Sequence, residues 1–144
     1  MRSDEPQRHG GTEIIREEAL SPSLNSLTGM IVDAAFAVHS TLGAGLLESL
    51  YETCLEHELR KRGLHTRRQL VIPVIYDGLR FDEGFRIDML VEGTVVVEVK
   101  AVERLLPVHD AQLLTYLKLT DTRVGLLINF NVPRIKNGIR RFVR

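Results

Sequence analysis

Two acid-bearing runs of strand-forming residues constrain the fold of this chain most strongly. The first run is Arg86-Ile-Asp-Met-Leu-Val91, and Val97-Glu98-Val99-Lys100 follows it after a short turn. Alternate residues of a strand point to the same face, so Glu98 and Lys100 share one face and the valines beside them take the other. Burying an acid and a lysine on an otherwise apolar strand is costly unless a cation or an ion pair compensates them. The pattern therefore predicts a hairpin built around a charged site.

The turn between the two runs decides whether their acids meet. If Glu92-Gly93 were a two-residue turn, Val91 would pair with Thr94, and the acids would face opposite sides of the sheet. A three-residue loop that pairs Leu90 with Thr94, or a bulge with the same effect, puts Asp88, Glu98 and Lys100 on one face. We expect the second arrangement.

Length and composition predict a single folded domain. The chain has 144 residues, of which 44% are apolar, enough for one sizeable core. Residues 1–23 have no sustained apolar period and are expected to be a flexible N-terminal extension, which leaves residues 24–144 as the domain. The single cysteine, Cys54, and the lack of a long apolar run predict a cytoplasmic protein without a membrane span. The net charge of zero argues against nucleic-acid binding by bulk electrostatics.

The order of hydrophobic periods predicts an α/β fold. Helical spacing begins at Leu24 and ends at Gly43, and the later strands form an antiparallel meander followed by a buried strand that could run parallel to its neighbour. The last segment fits an edge strand or a short helix. The further predicted elements are helices at residues 46–62 and 108–119, strands at 69–76, 81–91, 94–102 and 123–130, and the last segment at 139–143.

The second helix carries a glutamate on its apolar side. Glu48 aligns with Tyr51 and Leu55 and is therefore predicted to face the sheet from the first helical turn. A first-turn glutamate alone is explained as a partner of free N–H groups. Together with Asp88 and Glu98, however, it supplies a third hard oxygen ligand of the kind that Mg²⁺ or Mn²⁺ prefers. The predicted buried stripe is Leu47, Leu50, Tyr51, Cys54, Leu55 and Leu59, and the predicted solvated face is Glu52, Glu56 and Arg60.

The helix after the acidic strands has a polar pair. Gln112 and Tyr116 are four residues apart and are neighbours on one side of that helix. Spacing alone favours an outward polar stripe. The functional alternative is that Gln112 orients Lys100 or a water molecule, while Tyr116 contacts a phosphate or stacks on a base.

Two basic runs are candidates for contact with nucleic acid. Residues 60–68 and 134–144 carry five Lys or Arg each and no acid. Solvated helix ends and strand edges explain such runs as well as phosphate contact does. The candidate phosphate-binding residues are Arg67, Arg68, Lys136, Arg140 and Arg141.

A motif at the start of the second helix resembles that of a known family. Gly45-Leu-Leu-Glu-Ser-Leu-Tyr51 is similar to the signature of the GxxExxY protein family, and the resemblance continues through residues 125–130 to the basic C-terminus. It covers about residues 24–144. That family resembles a small branch of the PD-(D/E)xK nuclease superfamily. The resemblance implies a restriction-endonuclease-like α/β core, in which a mixed central sheet with an antiparallel catalytic hairpin is flanked by helices.

The resemblance also implies roles for single residues. Ile87 stands where the superfamily has the proline of its name, a common departure. Gln112 and Tyr116 resemble the QxxxY element of recombination nucleases. The matching site positions are Glu48 for the acid of the first helix, Asp88 for the acid of the first catalytic strand, and Glu98 and Lys100 for the ExK element.

The function implied is Mg²⁺-dependent hydrolysis of DNA phosphodiesters, with endonuclease and exonuclease action both open. Asp88, Glu98 and Glu48 would hold Mg²⁺ or Mn²⁺, and Lys100 would position the attacking water or neutralise transition-state charge. A homodimer that pairs two sites is compatible with this chemistry. The alternative is a catalytically silent nucleic-acid-binding or protein-interaction module on the same fold, which the neutral charge and small size would suit.

Overall fold

The structure is a computed structural model that describes residues 22–144. The extension predicted for residues 1–23 lies outside the described residues, apart from residues 22 and 23, which begin the first helix. The described elements are α1 (Pro22–Leu42), α2 (Glu48–Lys61), β1 (Thr66–Tyr76), β2 (Leu79–Val91), β3 (Val95–Lys100), α3 (Pro107–Thr120), β4 (Val124–Asn129), a short 3₁₀ helix (Ile135–Gly138) and β5 (Ile139–Val143).

The strands form one mixed sheet in the order β1-β2-β3-β4-β5. Strand β2 is antiparallel to both of its neighbours, β1 and β3, whereas β4 runs parallel to β3, and β5 is antiparallel to β4. A parallel pair needs a long crossover, which α3 supplies between β3 and β4. The predicted mixed α/β sheet with an antiparallel hairpin is confirmed.

Helices cover both faces of this sheet. The larger core joins α1 and α2 to one face, and the smaller core joins α3 to the other. Strand β4 is buried along its whole length, as predicted for a central strand covered on both sides. No helix in residues 22–144 combines the length and the apolar character that a membrane span requires. The smaller core consists of Ile87, Val96, Leu113, Leu117, Leu127 and Phe142.

Tyr51 fixes the loop that leads into α2. Its hydroxyl donates a hydrogen bond to the Gly43 carbonyl at 2.6 Å and accepts one from the Leu46 N–H at 3.1 Å. Gly45 has φ of +97°, a left-handed conformation that favours glycine. The Tyr51 ring stacks on Phe130, with the ring centroids 4.6 Å apart. The glycine and the tyrosine of the Gly45–Tyr51 motif therefore both set the position of the first turn of α2.

Two predictions about α2 were wrong. Glu52 is buried and does not lie on a solvated face, because it precedes Leu59 by seven residues, nearly two helical turns, and shares the side that Leu59 buries. Leu47 and Leu50 are exposed and do not belong to the buried stripe. Leu46 beside them is exposed too, so apart from Tyr51 the first turn of α2 is left uncovered by the rest of residues 22–144.

The hairpin of β1 and β2 extends well past the rest of the sheet. These strands have 11 and 13 residues, whereas β3 has 6. The register shifts between Ile72 and Val74, where β2 contains extra residues. A Cβ atom on Gly84 would lie 2.3 Å from Val74 Cγ2, so the close approach of the strands at this bulge requires glycine. Residues 73–84 beyond the shift form a two-stranded ribbon.

Candidate active site

Strands β2 and β3 separate at the two acids. They pair from Val91–Val95 to Met89–Val97, and the next position brings Asp88 opposite Glu98. There the carboxylates replace backbone partners, since the Asp88 N–H donates to Glu98 Oε2 at 2.9 Å and the Val99 N–H donates to Asp88 Oδ2 at 2.8 Å. Each carboxylate is thus held by the main chain of the opposite strand. This point is called the fork below.

A bulge in the turn brings the acids together. Glu92 and Gly93 both have positive φ, and the Thr94 N–H donates to the Val91 carbonyl at 3.0 Å. Val91 nevertheless pairs with Val95, which leaves Thr94 as an extra residue. The expected pairing of Leu90 with Thr94 is wrong, whereas the bulge with the same effect is confirmed.

The alternation of side chains along β2 changes phase at Asp88. Phe85 and Ile87 pack with the core under α3, whereas Met89 and Val91 pack with the core under α1 and α2. Strict alternation would put all four on one face. Gln69 of β1 lies opposite Asp88, since the residues on either side of it pair with Met89 and Ile87. The φ of Gln69 is +51°. The fork therefore lies at a point of the sheet where residues of the helices on either face can interact with its acids.

Burial and electrostatic repulsion from neighbouring acids raise the pKa values of both Asp88 and Glu98. Glu98 is only 5% exposed, and burial together with the charge of Asp88 raises its pKa to about 8. Burial also raises the pKa of Asp88 to about 6, with further contributions from the charges of Glu52 and Glu48. The Lys100 charge and the N–H donors act in the opposite direction. Near neutral pH the two carboxyls compete for one proton, as closely spaced acids do.

The chemistry of this pair fits a divalent cation. Each carboxylate binds an N–H with one oxygen, and its other oxygen has no hydrogen-bond partner among residues 22–144. Lys100 lowers both pKa values by its charge, yet it forms no ion pair with a described residue. A buried and a half-buried carboxylate that repel each other and keep free hard oxygens are suited to hold Mg²⁺ or Mn²⁺. Asp88 and Glu98 are the residues that would hold it.

Glu48 lies at the margin of the site. Its charge raises the pKa of Asp88, but its side chain is exposed on the uncovered first turn of α2. Within residues 22–144 no three Asp, Glu, His or Cys side chains converge closely enough to hold a metal ion. The predicted convergence of three carboxylates is therefore wrong for this structure, in which two acids meet.

Glu52 is an acid of this site that the sequence pattern did not reveal. Its buried carboxylate accepts hydrogen bonds from Arg68 Nε at 3.0 Å and from Gln69 Nε2 at 2.9 Å. Its charge raises the pKa values of both Asp88 and Glu98. The spacing of seven residues between Glu52 and Leu59 was the available signal, since it places Glu52 on the buried side of α2.

Helix α3 places Tyr116 beside the acids. Burial and the charges of Glu98 and Asp88 raise the pKa of Tyr116. Its ring stacks on Phe85, with the centroids 4.5 Å apart. Gln112, one turn earlier on the same helix, is exposed, and its role in orienting Lys100 or a water stays a prediction.

The candidate basic residues divide into exposed and paired ones. Arg67 on β1 and Lys136 on the 3₁₀ helix are exposed. Arg68 and Arg140 are engaged by buried acids, Arg68 by Glu52 and Arg140 by Asp110 at 2.7 Å. Arg141 Nη1 donates to Asn25 Oδ1 at 3.3 Å. Strand β5, which carries Arg140 and Arg141, lies two strands from β3, whereas β1 lies next to β2.

The whole described domain matches one protein family. The model of the PD-(D/E)XK nuclease superfamily matches residues 25–142, which include the fork and all three helices except the first three residues of α1. The chain belongs to the PD-(D/E)XK nuclease superfamily. No curated protein sequence and no solved structure matches it significantly. Nucleases of the PD-(D/E)XK superfamily typically use divalent metals, in agreement with the chemistry of the Asp88–Glu98 pair.

Proposed function

We propose that this PD-(D/E)XK protein hydrolyses DNA phosphodiesters with Mg²⁺ or Mn²⁺ held by Asp88 and Glu98. The observation that carries the proposal is the fork, where the buried Glu98 faces the half-buried Asp88 and each acid keeps one unbonded oxygen. We also propose that the protein belongs to the GxxExxY branch of the superfamily, which the Gly45–Tyr51 motif and the contacts of Tyr51 with its loop support.

Each residue of the fork has a distinct task in this proposal. A bound divalent cation would polarise the scissile phosphate and lower the pKa of a water molecule. Asp88 and Glu98 keep one oxygen each on a main-chain N–H, so their free oxygens are already oriented. Lys100 brings a positive charge to the same place and would neutralise charge that develops on the phosphate.

Residues around the fork would contact the substrate. Arg67 is exposed on the strand next to β2 and has no acid partner among the described residues, so it is free to bind a phosphate. Tyr116 lies beside the acids and would contact the nucleotide at the cleaved bond. A homodimer would bring two such sites to one duplex.

Cation binding and cleavage test the proposal together. Calorimetry with Mg²⁺ and Mn²⁺ should show binding that Glu98→Gln removes. Supercoiled plasmid should be nicked only with cation, and Glu98→Gln or Lys100→Ala should slow nicking by roughly 100-fold or more. Comparison of circular with linear single-stranded DNA distinguishes endonuclease from exonuclease action.

Glu103→Gln is the matched control, because Glu103 is an exposed acid on the loop after β3. It should bind cation and nick DNA like the wild-type protein. A wild-type protein that binds neither cation would contradict the proposal and would favour the catalytically silent binding module.

A further inference from the structure

Strand β1 breaks the alternation of its side chains in the same row as β2. Arg68 binds Glu52 of α2, and Gln69, the next residue, binds the same carboxylate, so two consecutive side chains lie on one side of the sheet. Leu70 then packs with the core under α3, on the other side. Strict alternation would put Gln69 on the side of α3 and Leu70 on the side of α2. The change of phase in β1 therefore lies opposite the one at Asp88.

The two changes of phase require each other. Arg68 pairs with Met89, and both lie on the side of α2. Leu70 pairs with Ile87, and both pack with the core under α3. Directly opposed residues of antiparallel strands point to the same face, so β2 can change phase in this row only if β1 does so too. Pairing of β2 with β3 ends at Met89, so the same row is where the fork opens.

The change of phase in β1 depends on an unfavourable conformation of Gln69. Its φ of +51° lies in the left-handed region, which a residue with a Cβ atom rarely adopts. Such a residue persists only where its surroundings hold it in place. Gln69 is exposed, so burial does not hold it, but its side-chain amide donates to both carboxylate oxygens of Glu52, at 2.9 Å and 3.2 Å. These hydrogen bonds hold Gln69 on the side of α2.

Glu52 is a firm anchor for Gln69. It is only 4% exposed, and Tyr51 and Leu55 on either side of it fix α2 in the larger core. Arg68 Nε donates to the same carboxylate at 3.0 Å and compensates its charge. A side chain that is buried and bonded on a packed helix has little freedom to move. Strand β1 therefore conforms to Glu52 in this row.

We propose that Glu52 is a positioning residue of the fork, which holds Gln69 in the left-handed conformation and thereby orients Asp88 toward Glu98. In this role Glu52 contacts neither cation nor substrate and acts through the backbones of β1 and β2. The importance of this positioning for catalysis rests on the proposed function. The orientation of the two acids is nevertheless measurable without cation or DNA.

Hydrogen exchange of two amides, measured by NMR in EDTA, tests the proposal. The N–H groups of Asp88 and Val99 donate to the carboxylates of the fork and report their orientation. Glu52→Ala and Gln69→Ala should each speed the exchange of both amides by about tenfold or more relative to that of Leu126, in the buried strand β4. The Leu126 amide corrects for a change in overall stability.

Gln69→Ala separates geometry from charge. It leaves the Glu52 carboxylate and its ion pair with Arg68 in place, and it changes an exposed residue, so the variant should fold. Faster exchange at Asp88 and Val99 in this variant would therefore come from the lost contact with Gln69. The same variant should bind Mn²⁺ more weakly in calorimetry, by about fivefold or more, because the free oxygens of the acids lose their common orientation.

Asp110→Ala is the matched control for Glu52→Ala. Asp110 is also a buried acid on a helix, and Arg140 Nη1 of β5 donates to its carboxylate oxygens at 2.7 Å and 2.8 Å. Its removal leaves a strand arginine unpaired, as the removal of Glu52 does. The control should lower overall stability and leave exchange at Asp88 and Val99 within about twofold of the wild-type rate relative to Leu126.

Two results would overturn the positioning role. One is exchange at Asp88 and Val99 that stays within about twofold of the wild-type rate in Gln69→Ala. The other is an Asp110→Ala variant that speeds these amides as much as Glu52→Ala, which would make Glu52 a stabilising acid like any other. A wild-type protein that binds no cation would contradict the proposed function instead, since amide exchange is measured without cation.

Discussion

Asp88 and Glu98 face each other across β2 and β3, and the Asp88 N–H donates to Glu98 Oε2 at 2.9 Å. An amide oxygen can accept the same bond, while amide substitution removes the repulsion between the acids. We therefore expect Asp88→Asn and Glu98→Gln to melt at the wild-type temperature or above it in EDTA. Millimolar Mg²⁺ should raise the melting temperature of the wild-type protein and leave both variants unchanged. Variants that unfold like core deletions would instead identify the acids as a structural network.

The same acids should make stability depend on pH. The pKa of Glu98 is raised to about 8 in the folded protein, from an ordinary value of 4.5. The folded state therefore binds a proton that the unfolded chain releases between these values, so the free energy of unfolding should fall as pH rises through that window. The loss is on the order of a few kcal/mol. Urea unfolding in EDTA at a series of pH values measures it, and a wild-type slope as flat as that of Glu98→Gln would contradict it.

Lys100→Ala should act in the opposite sense to the acid substitutions. Lys100 lowers the pKa values of Asp88 and Glu98, so its removal leaves their repulsion less compensated at neutral pH. We expect a loss of about 1 kcal/mol or somewhat more in EDTA. Lys118→Ala on the exposed side of α3 is the control and should change stability by less than about 0.5 kcal/mol. Equal losses in thermal melts of the two variants would remove Lys100 from the electrostatics of the site.

Substitution of Glu52 should cost more stability than substitution of Glu48, because Glu52 is buried and Glu48 is exposed. Glu52→Ala leaves Arg68 and Gln69 without their shared acceptor, which should cost about 1–3 kcal/mol. Glu48→Ala removes an exposed side chain and should cost less than about 0.5 kcal/mol. Denaturant midpoints measure both. A Glu48→Ala variant that is the less stable of the two would show that the first turn of α2 is packed.

Tyr51→Phe should loosen the entry to α2 without removing the ring from the core. The change deletes the hydroxyl that binds the Gly43 carbonyl and the Leu46 N–H, at a cost of about 1–2 kcal/mol. Stacking on Phe130 remains. The Leu46 amide should exchange with solvent faster than in the wild-type protein. Unchanged exchange at Leu46 would mean that the glycines alone hold the loop.

The order of helices and strands could be predicted from the sequence because the hydrophobic period of each element is strong. The apolar run around Val95–Val99 and the breaks at Gly43, Gly63 and Gly93 predict strands and helix ends from local chemistry. The opposition of Asp88 and Glu98 was also predictable, since a turn that separated them would have left buried charges without compensation.

These local patterns could not predict the packing of residues that are distant from one another in the sequence. The exposure of Glu48 depends on which distant residues cover the start of α2, and no local period reports that. The spacing to Leu59 could have indicated the burial of Glu52 but not its partners, Arg68 and Gln69, which are 16 and 17 residues away and reach α2 through a left-handed residue in β1. Polar residues that lie beside an apolar stripe take their environment from such distant partners.

The short pairing between β2 and β3 bears on the temperature at which cleavage activity is lost. These strands pair only from Met89–Val97 to Val91–Val95, whereas β1 and β2 pair along nearly their whole length. We therefore expect the β1–β2 hairpin to open from the remaining strands at a lower free energy than full unfolding requires. Opening would carry Asp88 away from Glu98 while β3, β4 and β5 stay assembled. Cleavage should thus fail at a lower temperature than the fold, because this opening would separate the two acids.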